Sequence, residues 1–474
     1  MKSRYKQFFF TLIGYFAGNV FTKLISFILL PLYTKIIEPE IYGTFGVITT
    51  IVQLVVPMVC MCIWMSVFRY SAEAETEQER YEVISTGLPV MWISSGLIAA
   101  VLLAINIFWD LGNPYLVCFY AIANGFQYFY GYIARSMKDN RTFIISGCIN
   151  STINLLLNWI GIVYLHHGIE TLYYSYIIGT LAQVLIIEIK FRVLSHFRVG
   201  YVQKARLQIL FKFGGPLALN SIMQWLLTGL TQIMIAQMLG THYNGLFSVA
   251  VKFATLISLI ASIFEYAWLE LAYDLAKNNN SAGYYRRVIN MLFGVLVFGS
   301  SILMLAIKIL FPYFIASAYN GALEVIPYIV VYASANSLAS FFATIYMSYK
   351  DVKTITVSSL IAGASNLLLI LVLIPAWSFH GAMISLTAAC VLMMLIRGII
   401  LKKKYQIGID GLTAVWVLLI LAAAAVFYLS ESTLGDIGGI LVCMVLFAFV
   451  ARRMFFTYMR PKKFAVEKTN RGNV

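Results

Sequence analysis

Long apolar runs separated by short polar segments extend along the whole sequence. Each run has about 20 or more residues with few charges, enough for a helix to cross a hydrocarbon layer of ~30 Å. Runs such as SSLIAGASNLLLILVLI lack the alternation of barrel strands, and open strands would leave backbone groups unpaired in lipid. We therefore predict helices throughout. About fourteen spans are expected, over residues 8–37, 41–68, 84–107, 114–134, 142–165, 169–189, 207–239, 243–270, 288–311, 325–348, 354–375, 379–400, 411–429 and 434–451.

The first apolar run follows a basic segment that contains Lys2, Arg4 and Lys6. A cleavable signal peptide has a shorter apolar region, of about 7 to 15 residues, followed by a small-residue cleavage site. The run over 8–37 is longer and has no such site. We interpret it as a retained membrane helix.

The composition agrees with a chain that crosses the membrane many times. Hydrophobic residues make up 61% of the chain and charged residues 11%, and the mean hydropathy is +0.83. These values exclude a water-soluble domain of this size. The predicted fold class is an all-α polytopic membrane protein.

The 34 lysines and arginines fall mostly on one face, if the N-terminus and every even-numbered loop are assigned to that face. By the positive-inside rule this face is cytoplasmic, and both termini lie on it. The net charge of +14 therefore reflects topology, and nucleic-acid binding is not expected. The cytoplasmic cations include Arg135, Lys138, Arg141, Lys190, Arg192, Lys402, Lys403, Lys404, Arg452 and Arg453.

The six cysteines all lie inside predicted spans, without the spacing of a metal site or a loop disulfide. We interpret them as structural residues of the spans, including the Cys60-x-Cys62 pair. No metal or cofactor is expected, and the sequence does not identify a coupling ion.

An internal repeat divides the chain. The segment SMKDNRT at 136–142 returns as SYKDVKT at 348–354, and ten of 22 positions are identical when 136–157 is laid on 348–369. A second match lays KIIEPEIYGTFGV (35–47) on QMLGTHYNGLFSV (237–249) at an offset of 202. The two polar segments are interpreted as equivalent cytoplasmic turns of a duplicated unit.

Each duplicated unit holds six predicted helices, so both units begin and end on the same face of the membrane. This is the parallel-repeat plan of transporters, in which the substrate path lies between the two units. We predict an N-terminal six-helix lobe at 1–206, a C-terminal six-helix lobe at 207–405, and an extra helix pair with a basic cytoplasmic tail at 406–474.

Polar side chains recur at four-residue spacing inside several spans and predict a wet cavity between the lobes. For any one amide or hydroxyl, a hydrogen bond between helices is the competing interpretation. Prolines and glycines, among them Gly214-Gly215-Pro216, predict weak points in the helices. The candidate cavity residues are Tyr15, Asn19 and Lys23 in the first span, Asn220 and Gln224 in the seventh, Lys252 and Glu265 in the eighth, and the equivalent pair Asn124 and Asn336.

Lys23 and Lys252 are the candidate anion ligands. Lys23 lies near the middle of its span, about 20 Å from either end, beyond the reach of a snorkelling lysine. A cation at such a depth costs ~2.5 to 3.5 kcal/mol or more, so it should face water, an acidic partner or an anionic ligand. The two lysines come from opposite lobes. Anion binding and a structural salt bridge, for example with Glu265, both remain open.

The segment LLPLYTKIIEPEIYGTFGVITTIVQLV (29–55) resembles the Wzx-type flippases that export O-antigen, capsule or exopolysaccharide units. The resemblance includes Glu38-Pro39-Glu40 before Tyr42-Gly43, and Phe68-Arg69-Tyr70 before an acidic loop. It extends over nearly the whole chain and implies membership of the multidrug/oligosaccharidyl-lipid/polysaccharide exporter superfamily.

This resemblance implies a V-shaped pair of lobes in the bacterial plasma membrane. Such a flippase moves a polyprenyl-pyrophosphate-linked oligosaccharide from the cytoplasmic to the outer leaflet by alternating access. Cations of the first and eighth helices line the cavity in these relatives, often as arginine, and Lys23 and Lys252 occupy comparable places here. The implied partners are the lipid-linked oligosaccharide and membrane lipids, with a polysaccharide polymerase as a further candidate.

Two alternatives stay open. A lipid II flippase or a multidrug exporter of the same superfamily would share the predicted topology. A membrane polymerase, ligase or glycosyltransferase is disfavoured, because the non-cytoplasmic loops are short and contain no Asp-x-Asp motif. We therefore predict a transporter rather than an enzyme.

Overall fold

The computed structural model describes residues 27–165, 168–276, 282–349, 351–430 and 432–454. Within these ranges the chain is helical, with no β-strand. The first seven helices are α1 (Phe27–Ile36, as far as it is described), α2 (Pro39–Val59), α3 (Ile63–Glu73), α4 (Glu77–Phe108), α5 (Pro114–Ser136), α6 (Asn140–Trp159) and α7 (Glu170–Phe191).

The remaining helices are α8 (Lys204–Met238), α9 (Thr241–Ala276), α10 (Ala282–Phe314), α11 (Gly321–Ser348), α12 (Val352–Tyr405), α13 (Gly411–Tyr428) and α14 (Thr433–Met454). Nine helices of the described part are long and apolar enough to cross a membrane. The prediction of an all-helical polytopic membrane protein is confirmed.

Two boundaries within the predicted spans differ in the structure. The spans expected over 354–375 and 379–400 form the single element α12, which bends at Trp377 and Ser378, where the backbone leaves helical φ/ψ. The single helix expected over 41–68 is instead two helices, α2 and α3. They are separated by Met61 and Cys62, which have left-handed φ values of 47° and 48°.

The break between α2 and α3 is fixed by a close approach of α8. A Cβ at Gly214 would overlap the carbonyl oxygen of Met61, so only glycine allows this contact. Ser66 of α3 donates to the carbonyl of Leu210 at 2.8 Å. Gly214 therefore serves as a docking position for the break.

The buried apolar side chains form two clusters. One contains residues between Val47 and Ala218. The other contains residues between Leu227 and Val450, together with Leu29 to Tyr42 and with Ile162 and Leu172. The cluster boundary falls within α8, so the beginning of this helix packs with the first cluster and its end with the second.

The first repeated turn has an aspartate at its centre. Asp139 caps α6 by accepting hydrogen bonds from the Thr142 amide (3.0 Å) and hydroxyl (2.8 Å). Its carboxylate also lies 3.0 Å from the Lys190 ammonium at the end of α7. Lys138, in the same turn, has a φ of 58°. Although partial desolvation of Asp139 raises its pKa, the Thr142 and Lys190 hydrogen bonds outweigh that effect and lower the pKa.

The second repeated turn has the same contacts. Asp351 caps α12, accepts from the Thr354 amide (3.3 Å) and hydroxyl (3.0 Å), and lies 2.8 Å from the Lys404 ammonium. The Lys404 hydrogen bond is the main reason that the pKa of Asp351 is lowered. Lys350, the expected counterpart of Lys138, lies outside the described residues.

The last two helices pack on α10 and on each other. The Lys308 ammonium of α10 lies 2.9 Å from the Asp436 carboxylate of α14. The Phe298 and Phe447 rings stack at a centroid distance of 3.8 Å. The pair is thus attached to one side of the second cluster.

Candidate functional site

A cavity of about 420 Å³ lies where helices of the two clusters meet. Its walls come from α2, α5, α8, α11 and α12, and most of the exposed lining is polar. The lining residues are Gln53, Tyr128, Asn220, Ser221, Gln224, Trp225, Leu227, Thr228, Tyr332, Asn336, Ser340, Ser359, Met393 and Arg397.

One face of α8 supplies several of these side chains. Asn220, Gln224 and Thr228 are spaced four residues apart and line the cavity together. The neighbouring Trp225 donates from its indole N–H to the carbonyl of Thr50 at 2.8 Å, which fixes α8 against α2. This tether holds the polar face of α8 at the cavity.

The end of α8 is held from the other side by α12. The Asn366 amide donates to the Leu227 carbonyl and to the Thr231 hydroxyl, both at 2.9 Å. Asn366 is the repeat equivalent of Asn154. These two buried hydrogen bonds hold α8 against α12 beside the cavity.

The predicted site residues have different locations. Asn220, Gln224 and Asn336 line the cavity, whereas Asn124 and Lys252 are not among its lining residues. Lys252 is half-buried on α9. Glu265 also belongs to α9, but its side chain is outside the described part, as are Tyr15, Asn19 and Lys23.

Asn124 takes part in a neutral hydrogen-bond network inside the first cluster. Its amide donates to the Tyr176 hydroxyl at 2.6 Å, and that hydroxyl donates to the Gln127 oxygen at 2.5 Å. The Gln127 amide (3.2 Å) and the Asn150 amide (2.7 Å) both donate to the Gln183 oxygen. Because the network binds helices α5, α6 and α7 together, Asn124 has the structural environment that the competing interpretation expected.

Arg397 is a cavity residue that the sequence analysis did not single out. It is 2% exposed and donates from Nε to Ser358 (2.9 Å) and from Nη1 to the Ala339 carbonyl (2.7 Å). Nη2 donates to Ser359 (2.8 Å) and to the Ile355 carbonyl (3.3 Å). The available signal was an arginine inside a predicted span, at 379–400.

At the end of the molecule where α2 and α9 begin, two glycines make reciprocal contacts. A Cβ at Gly43 would overlap the Thr241 carbonyl, and a Cβ at Gly245 would overlap the Pro39 carbonyl. Asn244 reinforces the crossing by donating to the Gly43 carbonyl at 2.6 Å. The two backbones are therefore in direct contact.

These contacts join equivalent residues of the repeat. The offset of 202 relates Gly43 to Gly245 and Pro39 to Thr241. It also relates Glu40 to His242. The Glu40 carboxylate oxygen lies 2.7 Å from Nδ1 of His242. The α2–α9 crossing therefore brings together residues that the repeat makes equivalent.

A polar layer follows the glycine contact toward the cavity. Thr50 of α2 hydrogen-bonds the Gln232 oxygen, and the Gln232 amide donates to Ser248 at 3.0 Å. A Cβ at Gly46 would overlap the side chains of Gln232 and Ser248. The cavity begins at Gln53, about one turn further along α2.

The fold is similar to that of solved membrane transporters. A lipid II flippase MurJ structure in an inward closed conformation aligns over 95% of this chain and 100% of that chain, with a TM-score of 0.65 and 14% sequence identity. An inward-facing multidrug resistance MATE family transporter of the MOP superfamily aligns over 85% and 95%, with a TM-score of 0.64 and 13% identity.

An outward-facing transporter of the same MATE family aligns over 88% of this chain and 94% of that chain, with a TM-score of 0.55 and 13% identity. These similarities establish the fold of the multidrug/oligosaccharidyl-lipid/polysaccharide exporter superfamily. Among curated proteins, no sequence matches the chain.

The sequence itself matches a family model described as "Polysaccharide biosynthesis protein". The match extends over residues 12–269, more than half of the chain, and includes α2 to α8 and most of α9. The chain belongs to this family of polysaccharide biosynthesis proteins and is a multi-pass membrane protein with the fold of these transporters.

Proposed function

We propose that the protein is a flippase for a polyprenyl-pyrophosphate-linked oligosaccharide used in surface polysaccharide biosynthesis. The observation that carries the proposal is the cavity between the two clusters, lined by the amides of Gln53, Asn220, Gln224 and Asn336. Amides offer a donor and an acceptor side by side, which suits the hydroxyls of a sugar. A polar cavity inside an apolar membrane protein fits a head group whose lipid tail stays in the bilayer.

Alternating access is proposed to proceed by rocking of the two six-helix lobes. Because Gly43 and Gly245 are equivalent in the repeat and hold α2 against α9, we propose that this crossing separates when the cavity opens at that end. The basic turns around Asp139 and Asp351 are proposed to face the cytoplasm. The Gly43 end then faces the outside of the cell.

Lys23 and Lys252 are proposed to neutralise the pyrophosphate during transit. A diphosphate carries about two negative charges, which would be costly to leave unpaired in the low-dielectric core. Lysine supplies charge without the bidentate geometry of arginine. The helix pair α13 and α14 is proposed to border a portal for the polyprenyl tail.

Deletion of the gene is the direct test. We expect the loss of surface polysaccharide and the accumulation of one polyprenyl-pyrophosphate-linked oligosaccharide on the cytoplasmic leaflet, both reversed by the wild-type chain. Leaflet location is measured by access of a membrane-impermeant lectin or glycosidase to everted and right-side-out vesicles. Unchanged lipid-linked intermediates and normal surface polysaccharide in the deletion strain would contradict the proposal.

Lipid II flipping is the second candidate, because the fold aligns with a lipid II flippase over nearly the whole chain. The same deletion experiment separates the two functions. A lipid II flippase would cause lipid II itself to accumulate and the cell wall to weaken, whereas the proposed function leaves lipid II at its normal level.

A further inference from the structure

Arg397 places a positive charge at the cavity without a charged partner among the described residues. Its four hydrogen bonds go to Ser358, Ser359 and two backbone carbonyls, all of which are neutral. None of the ion pairs formed by the described residues includes it. The charge is therefore oriented by the protein but not neutralised within the described part.

Burial makes this arrangement costly. Arg397 is 2% exposed, although it lies only three residues before the end of the span predicted over 379–400. Its guanidinium is bonded to α11 and to the first segment of α12, so it does not extend to the membrane surface. Charged residues at such positions face water-filled cavities and mark ligand pathways.

The surroundings of Arg397 suit an anion. Its side chain shares the cavity with Asn336 and Ser340, which offer hydrogen-bond donors, and no Asp or Glu is among the lining residues that the structure describes. A guanidinium has five N–H donors, and the structure assigns protein acceptors to four. One Nη1–H is left without an acceptor in the described ranges.

Holding the helices together is the simpler role for such a residue, since its bonds join α11 to both segments of α12. That role alone would be served by neutral donors, at a lower desolvation cost. A permanent charge adds a positive potential to the cavity, and this potential acts on a ligand.

We propose that Arg397 is an anion-binding residue of the cavity, which takes the phosphate or diphosphate group of the transported molecule. This inference rests on the proposed function and adds a third cation, from α12, to the two lysines. The Arg397 guanidinium is held in one orientation and supplies a directed N–H donor, which a flexible lysine does not. The diphosphate would then bind on the side of the cavity formed by α11 and α12.

The test uses the purified full-length chain in detergent and three probes. Geranylgeranyl diphosphate carries the charge and a tail, geranylgeraniol carries only the tail, and inorganic pyrophosphate carries only the charge. Affinities are measured by thermophoresis, and folding is checked by size-exclusion chromatography and the unfolding midpoint. Arg141→Gln, which removes an exposed arginine at the start of α6, is the matched control.

We expect Arg397→Gln to weaken geranylgeranyl diphosphate binding roughly tenfold or more, because a charge-assisted hydrogen bond is lost. Geranylgeraniol binding should stay unchanged, Arg397→Lys should be intermediate, and Arg141→Gln should resemble the wild type. Wild-type affinity for geranylgeranyl diphosphate in folded Arg397→Gln, or no diphosphate binding by the wild type, would overturn the inference. Equal affinity for inorganic pyrophosphate would support the anion site and contradict a lipid source.

The wild-type chain provides a second readout if Arg397→Gln does not fold. A photoreactive polyprenyl diphosphate should cross-link to the cavity segments around Ser340, Ser359 or Met393. Cross-links confined to α9 around Lys252 would contradict the inference. If diphosphate binding does not depend on Arg397, the role of Arg397 is contradicted and the proposed function stands. If binding depends on Arg397 but no lipid-linked oligosaccharide accumulates in the deletion strain, only the proposed function is contradicted.

Discussion

The two halves of the repeat agree in their turns and differ in what they bury. Asp139 and Asp351 cap their helices in the same way, and each pairs with a lysine from the end of the unit. In the first half, Asn124 belongs to a neutral, partly buried network between helices α5, α6 and α7. Its equivalent Asn336 lines the cavity, next to the buried cation of Arg397.

This difference separates framework from function. The capped turns set where each helix starts, a requirement that both halves share. The interior positions are free to diverge, because an asparagine can find hydrogen-bond partners either in a neutral amide network or in the wall of a polar cavity. We infer that most of the described cavity wall comes from the second half of the repeat, α8 included, while the hydrogen-bond network of the first half provides rigidity.

The largest effect is expected where the halves touch. Gly43→Val and Gly245→Val each place a side chain on a backbone carbonyl that cannot move without separating α2 from α9. Overpacking of this kind costs typically 1–3 kcal/mol, and more where only backbone can yield. We expect both variants to lose surface polysaccharide and to have lower unfolding midpoints, by similar amounts.

Gly96→Val is the control for both glycine variants, because a Cβ at Gly96 meets nothing within 4 Å. It should export normally. A large effect of Gly43→Val together with wild-type behaviour of Gly245→Val would show that the crossing is not symmetric in function.

Lys23→Ala and Lys252→Ala come next in size. If the two lysines neutralise a diphosphate from opposite lobes, each substitution should abolish surface polysaccharide while the protein remains inserted. Lys→Arg at either position should retain part of the activity, because the charge is kept. Near-normal export from the double alanine variant, at matched protein level, would leave both lysines as structural residues.

A smaller effect is expected from the equivalent asparagines inside the two halves. Asn124→Ala removes one of the two hydrogen bonds of the Tyr176 hydroxyl, so we expect a loss of roughly 0.5–1.5 kcal/mol in unfolding free energy and unchanged export per folded molecule. Asn336→Ala should have the opposite pattern, with reduced export and a smaller change in stability. Identical patterns would contradict the division between framework and function.

Hydropathy was sufficient to predict the helical membrane fold, because each span must satisfy its backbone internally and be apolar to stay in lipid. Four-residue spacing placed Asn220 and Gln224 on one face of α8, since this helix is regular there. The repeat located the two turns in which Asp139 and Asp351 cap α6 and α12. Hydropathy, helical spacing and capping depend on residues close together in the chain, so a sequence contains them.

Other features depend on contacts between distant segments. The break at Met61 and Cys62 is set by the approach of Gly214 from α8, so hydropathy alone predicted one continuous helix. Arg397 lies near the end of a predicted span, where an arginine is usually an interfacial anchor. Its position at the cavity follows from its bonds to Ala339 and Ser358, which a hydropathy profile does not contain.

The smallest effect is expected from the repeated turns, where Asp→Asn keeps the cap but removes the negative charge. The pKa of Asp351 is lowered in the folded chain, mainly by Lys404. A lowered pKa stabilises the fold above the unfolded value of about 3.9 and loses this contribution as the pH falls through the folded value. Asp351→Asn should therefore have a slightly lower unfolding midpoint than the wild type at pH 7, equivalent to roughly 0–1 kcal/mol of unfolding free energy. The difference should become smaller at pH 3, below the unfolded pKa. Asp139→Asn should behave alike, measured by thermal unfolding in detergent at both pH values. A difference that persists unchanged at pH 3 in either variant would show that its ion pair is not the source of the stabilisation.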